Sequence, residues 1–176
     1  MAMDDTVPIP RDAETRAAER PDDHVAELRL WLRMLTCTTM IEGEVRRRLR
    51  ERFDTTLPRF DVLAQLDKAN DGMTLGELSQ RMMVSNGNVT GLVERLVSEG
   101  LIAREASRED RRVQMVKLTS AGRRTFRTMA KENGDWISEI FAGLDDKEID
   151  ALMQLLAKTK ESARQAIETG GRNGRR

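Results

Sequence analysis

The amino-acid sequence predicts a mainly α-helical fold with one small β-hairpin, and three observations carry that prediction. Apolar residues recur at three- and four-residue steps over most of the chain, the spacing of helices with one buried face. Two capping patterns, Thr74-Leu75-Gly76-Glu77 and Asp145-Asp146-Lys147-Glu148, mark helix starts. Between them, Leu101 to Leu118 departs from that spacing and reads as two short apolar runs around a charged turn.

The elements follow in order. Residues 1–23 are polar, charged and carry Pro8, Pro10 and Pro21, and read as a disordered arm. From Val25 to Leu49 the series Leu30, Met34, Cys37, Ile41, Val45 and Leu49 marks a long amphipathic helix. A second apolar set, Leu28, Trp31, Leu32 and Leu35, widens its buried face beyond one partner surface. Pro58 suits a helix first turn, and Phe60, Leu63, Ala64 and Leu66 share a face before Asn70-Asp71-Gly72 breaks the chain. Thr74 opens a short helix to about Met82. Ser85 opens another, buried through Val89, Leu92, Val93 and Leu96 and stopped at Gly100. Leu101–Arg104 and Val113–Leu118 read as hairpin strands, with Glu105 to Arg112 as the charged loop. Thr119 caps a helix to about Phe141. A last helix starts at Asp145 with Ile149, Leu152, Leu155 and Leu156 inside. Residues 169–176, rich in glycine and arginine, read as a disordered basic tail.

Composition narrows the function. The 176 residues are 39% hydrophobic and 34% charged, with no apolar run of the roughly 18 residues that span a bilayer. Met1 to Pro10 lacks a signal-peptide layout, so the expected location is cytoplasmic, with no membrane partner. One cysteine, Cys37, excludes an intrachain disulfide. One histidine, His24, leaves no nitrogen-rich metal site. No nucleophile elbow, phosphate-binding glycine loop or histidine acid–base pair is present, so no catalytic residue, cofactor or metal is expected and an enzyme is disfavoured. Net charge is zero, but Arg81 to Arg124 carries nine basic and five acidic residues, whereas Asp135 to Glu161 carries three and seven. DNA is met by one face, so that basic middle matters more than the average.

A short helix, a tight connection, a second helix and a charged hairpin is the order of a winged helix-turn-helix. There the second helix enters the major groove and the wing reaches the backbone or minor groove. The solvent face of the Ser85–Ser98 helix holds Gly87, Asn88, Thr90, Gly91, Glu94 and Arg95. Small groups let backbone approach closely, the helix N-terminus favours phosphate, and Asn88 and Arg95 reach base edges. Two glycines inside a helix cost roughly 1 kcal/mol each. Close approach to DNA offsets that cost on one reading, and tight packing of Gly91 on a neighbouring helix on the other. The wing brings Arg104, Arg108, Arg111 and Arg112 near Glu105, Glu109 and Asp110, with Asp110 placed to orient Arg112. A capped turn followed by a solvated loop is the blander reading, and a helical protein-interaction module is the third class.

These residues resemble the MarR family of transcriptional regulators. The resemblance rests on Leu75-Gly76-Glu77-Leu78, Ser85-Asn86-Gly87-Asn88-Val89-Thr90-Gly91-Leu92-Val93, Leu96-Val97-Ser98-Glu99-Gly100-Leu101-Ile102, Asp110-Arg111-Arg112 and Leu118-Thr119-Ser120-Ala121-Gly122, in family order over residues 25 to 165. It implies a domain over residues 24–168, with a DNA-reading core at 57–120 and dimerisation helices at 24–50 and 119–168. It also implies an obligate homodimer that represses transcription on a pseudo-palindromic double-stranded operator until a small ligand or oxidant intervenes. Its groove-facing positions fall on Ser85, Asn86, Asn88, Thr90 and Arg95, and its wing element on Asp110 and Arg112.

Met83 to Arg104 is similar to the branch that regulates hydroxycinnamate breakdown, including CouR-type, p-coumaroyl-CoA-responsive repressors. That likeness implies an aromatic acyl-CoA thioester as inducer. Another phenolic or xenobiotic ligand is the alternative. Family effector positions map to Trp31, Leu35, Thr38, Thr39, Glu42, Phe60 and Met129, where methionine and indole suit a flat aromatic molecule. Arg46, Arg47, Arg48 and Arg50 offer charge for CoA phosphates, or simply form a solvated helix face. A redox role for Cys37 is disfavoured by its apolar stripe and by the absence of tyrosine from the chain.

Overall fold

The computed structural model describes residues 26–69, 71–107 and 113–173; of Asn86 and residues 170–173 only the backbone is described. Six helices and three strands follow in the order α1 (Ala26–Phe53), α2 (Leu57–Asp67), β1 (Met73–Thr74), α3 (Leu75–Met82), α4 (Asn86–Ser98), β2 (Ile102–Ala106), β3 (Gln114–Leu118), α5 (Ser120–Ile140) and α6 (Asp146–Asn173). The chain divides into two compact units, 1–134 and 135–176, the boundary falling within α5.

The first unit holds the core. Leu49 of α1, Val62, Leu63 and Leu66 of α2, Leu78 of α3, Val89, Val93 and Leu96 of α4, Ile102 and Val116 are all fully buried. Leu92, expected inside, is only half-buried, because it lies at the edge of the α4 face that turns outward. Phe60 packs on Phe126 with ring centroids 5.5 Å apart, and Arg123 pairs with Asp67 at 3.0 Å, so α5 is tied to α2 through both apolar and charged contacts.

Helix ends are written in local chemistry. Pro58 stands in the first turn of α2. Thr74 accepts from the Glu77 amide while the Glu77 carboxylate accepts from the Thr74 amide, a complete capping box. Asp145 and Glu148 do the same ahead of α6, at 2.8 and 2.9 Å. Thr119 both donates to the Gly100 carbonyl and accepts from the Gly122 amide. A Cβ on Gly122 would stand 2.0 Å from the Leu101 carbonyl oxygen, so only glycine lets α5 start against the base of the hairpin.

The sheet has three strands in the order β1-β3-β2, all antiparallel. Its outer strand β1 was not expected, since Thr74 reads in sequence only as a helix cap. Two residues carry too little pattern to register as a strand. Gly72 makes the pairing possible: its φ is +81°, and a Cβ there would meet Lys117 Cγ at 2.5 Å and Val116 O at 2.6 Å. Both hairpin strands begin one residue later than the apolar runs suggest, and β2 ends two residues later, continuing through Glu105 and Ala106, while β3 ends at Leu118 as read.

Two expectations about burial are corrected. Only Val45 and Leu49 of α1 are buried; Leu28, Leu30, Trp31, Leu35, Cys37 and Met40 are exposed, Trp31 by 56%. In the second unit, Ile149, Leu152, Leu155 and Leu156 of α6 are exposed rather than inside, Leu155 by 60%. Helical spacing says that a face is apolar; it does not say that the same chain covers it. α6 runs to Asn173, into the stretch expected as a tail from residue 169, because extending a formed helix adds a hydrogen bond per residue; residues 174–176 lie outside the described residues. The expected arm at 1–23 lies outside the described residues.

Candidate nucleic-acid interface

The surface of interest is built on α3, α4 and the turn between them. α3 ends with the Met83 amide donating to the Gln80 carbonyl and the Val84 amide to the Ser79 carbonyl, while the buried Ser79 hydroxyl donates to the Val84 carbonyl at 2.6 Å. The turn is therefore held from both sides and fixes the start of α4. At the other end, Gly100 at φ +73° donates to Val97 O and Leu101 donates to Leu96 O, a Schellman cap. Arg59 of α2 pairs with Glu99, anchoring that end to the core.

Held this way, α4 turns Val89, Val93 and Leu96 inward and leaves Gly87, Asn88, Gly91, Glu94 and Arg95 exposed, with Thr90 half-buried. A Cβ built on Gly87 or Gly91 meets nothing within 4 Å. The reading in which Gly91 packs tightly on a neighbouring helix is thereby removed. Ser85 occupies the N-cap position with extended backbone, but its hydroxyl makes no capping bond, so the first-turn amides of α4 are not satisfied by it. The start of this helix was read at Ser85, and the structure puts Ser85 at its N-cap.

A shallow groove of about 430 Å³ runs beside this face, lined by Pro58, Met82, Val84, Gly87, Asn88, Gly91, Leu92 and Arg95. Its apolar half was missed. The short helix was read as ending at about Met82, and the apolar pair Met83-Val84 in the connection that follows was the available signal.

The wing is described only at its base. Ser107 donates to Val113 O at 2.8 Å, closing the hairpin before the loop. Arg108, Asp110, Arg111 and Arg112 lie outside the described residues, as does Glu109. Arg104 is described, and it faces the Glu94 carboxylate at 3.9 Å, so part of its charge is already opposed by α4.

The seven candidate effector residues fall into two environments. Phe60 and Met129 are buried in the first unit. Trp31, Leu35, Thr38 and Thr39 lie exposed on α1, and Glu42 pairs with Arg46. One chain does not enclose the set. The neighbouring arginine cluster is largely paired: Arg47 bonds Glu44 and Glu51, and Arg48 bonds Glu44. The two guanidiniums hold the Glu44 carboxyl down at about 2. That pairing favours the solvated-face reading over a free phosphate site. Burial pushes the Asp61 carboxyl upward, a shift that Arg46 opposes and Glu42 reinforces. Among the described residues no group of histidine, cysteine and carboxylates is arranged to hold a metal, and no helix is long and apolar enough to cross a membrane.

Comparison with known proteins agrees with this architecture. A family profile described as MarR family matches residues 53–113. A MarR family transcriptional regulator from Silicibacter pomeroyi is 32% identical, covering 78% of this chain and 94% of its own, with a TM-score of 0.67. An E. coli MarR variant crystallised with operator DNA is 28% identical over 72% of this chain and 89% of its own, at TM-score 0.64. CouR from Rhodococcus jostii RHA1, bound to p-coumaroyl-CoA, covers 72% of this chain and 88% of its own at TM-score 0.65, but at 20% identity it shares the fold alone. The order of elements, the winged helix-turn-helix and the extent of the match place the chain in the MarR family of transcriptional regulators.

Proposed function

We propose that the protein is a transcriptional repressor that binds double-stranded DNA as a homodimer and is released by a small aromatic ligand. The observation that carries DNA binding is the α4 face. Gly87 and Gly91 stand one turn apart with open space beyond both, flanked by Asn88 and Arg95. Nothing inside the described chain offsets the helix-weakening effect of the two glycines, whereas close approach of a duplex would. In this reading Ser85, Asn86, Asn88, Thr90 and Arg95 meet the major groove, and Arg108, Asp110, Arg111 and Arg112 carry the wing to phosphate or the minor groove. Arg104 contributes less, because Glu94 opposes it.

The exposed apolar strips on the first half of α1 and on α6 support the homodimer. Large contiguous apolar surface is unusual on a monomer, and a second copy covers like with like. Domain limits follow: a reading core at 57–120, with α1 and the helices after residue 119 serving dimerisation. The effector is proposed as an aromatic acyl-CoA such as p-coumaroyl-CoA, lodged near Trp31, Leu35, Thr38 and Thr39. Its support is the Met83–Arg104 resemblance and an exposed indole beside hydroxyls.

The test is fluorescence anisotropy of a labelled duplex across a salt series. Counterion release predicts a log–log slope of about −0.9 per phosphate neutralised, steep for several contacts. Binding that ignores salt would contradict the reading. Adding p-coumaroyl-CoA or free p-coumarate to the complex then tests the effector: release by the thioester supports it, and release by neither removes it while leaving DNA binding in place.

A further inference from the structure

The turn between α3 and α4 contains a residue whose conformation and exposure nothing among the described residues explains. Met83 ends α3 in the left-handed conformation, φ +55° and ψ 35°, and its side chain is 93% exposed. The backbone around it forms a Schellman cap, the same motif that ends α4. At the end of α4 the left-handed position is Gly100, the residue that adopts this conformation without a steric penalty. At the end of α3 the chain places a long apolar side chain there instead. Met83 thus carries a backbone cost and an apolar-exposure cost together, and the buried Ser79 hydroxyl holds the turn that imposes them. Val84, the next residue, is also exposed and lines the groove that Asn88 and Arg95 share.

We propose that Met83 and Val84 read the C5-methyl groups of thymines in the major groove. The proposal rests on the DNA-binding role of α4 argued above and deepens it. α4 brings hydrogen-bonding groups to base edges, and the turn immediately before it brings apolar surface to the same edges. The major-groove edge of a base pair offers one apolar feature, the thymine methyl, and small or long apolar side chains are its fitting partners. Methionine is suited to such contact because its unbranched thioether adjusts to irregular surfaces. Val84, Asn88 and Arg95 line the same groove, so one occupant can meet both chemistries. Specificity would then come from two chemistries: polar readout by α4 and methyl readout by the turn.

The test uses the full chain and a duplex selected from a random library by the parent protein. Thymines in that duplex are replaced one at a time by deoxyuridine, which removes the methyl and nothing else. The parent is expected to lose about four-fold in affinity at each contacted thymine, the effect of one buried methyl. Met83→Gly is expected to erase that ratio at one or more positions while binding to unselected duplex in dilute salt persists, and Met83→Leu to restore it. A melting temperature for Met83→Gly no lower than the parent's fits a side chain that serves nothing inside the fold. A fall of several degrees would give Met83 a folding role and overturn the proposal. So would a parent indifferent to deoxyuridine at every position, or an unchanged ratio in Met83→Gly. An unchanged ratio accompanied by lost regulation would assign Met83 to a protein contact instead. No duplex binding by the parent overturns the DNA reading itself, a failure distinct from the others.

Discussion

Gly91 stands in the middle of a thirteen-residue helix, and its neighbours leave it untouched. Alanine at this position is therefore expected to raise stability by about 1 kcal/mol, the helix propensity difference, with no clash to repay. The same methyl group would hold a duplex away, so affinity should fall while the unfolding midpoint rises. Denaturant unfolding beside anisotropy checks both halves, and a variant that gains stability with unchanged affinity would remove Gly91 from the interface. Asp61 offers a second test at this scale. Its carboxyl is raised by burial, so its ionised form costs stability above the ordinary value of 3.8. Asp61→Asn is expected to be more stable than the parent near neutral pH, the advantage fading as pH falls toward 3.8; urea midpoints across pH measure it. Neither residue was legible as such in the sequence. Gly91 was visible as an anomaly with two explanations, and only the space around it chose between them.

At the scale of elements, sequence and structure agree where the signal is local. Capping boxes at Thr74 and Asp145, Pro58 in a first turn and Gly100 after α4 are each read from a few adjacent residues, and each is present. What failed to show were features set by distant partners. β1 exists because Met73 and Thr74 meet Val116 and Met115, more than forty positions along the chain. Gly72 is where that dependence can be broken. Alanine there faces both a left-handed φ and a 2.5 Å approach to Lys117, so a loss of about 2–3 kcal/mol is expected. The damage should centre on β1: amide exchange at Met73 and Thr74 should accelerate more than at Ile102. Equal acceleration throughout would mean that β1 does not depend on Gly72. The solvent-facing side of α4 was legible from its helical wheel, whereas the apolar turn beside it was not, because Met83 and Val84 form too short a connection to show in sequence whether they are buried or exposed.

For the whole molecule, the apolar periodicity of α1 and α6 is legible in the sequence, and within the described chain much of it is exposed. A sequence records that Leu152 and Leu156 want burial and is silent on which chain provides it. The proposed homodimer predicts that Leu152→Glu with Leu156→Glu, exposed in the single chain, yields a folded protein of 20.0 kDa in sedimentation, against twice that mass for the parent. A parent that sediments at 20.0 kDa would contradict the pairing. The central claim concerns where DNA lands, and amide chemical-shift mapping during titration with a duplex measures that most directly. Perturbations concentrated at Ser85, Gly87, Asn88, Gly91 and Arg95 and in the wing, with α6 little changed, are what the α4 face requires. Shifts that spare α4 and gather elsewhere on the protein would contradict it.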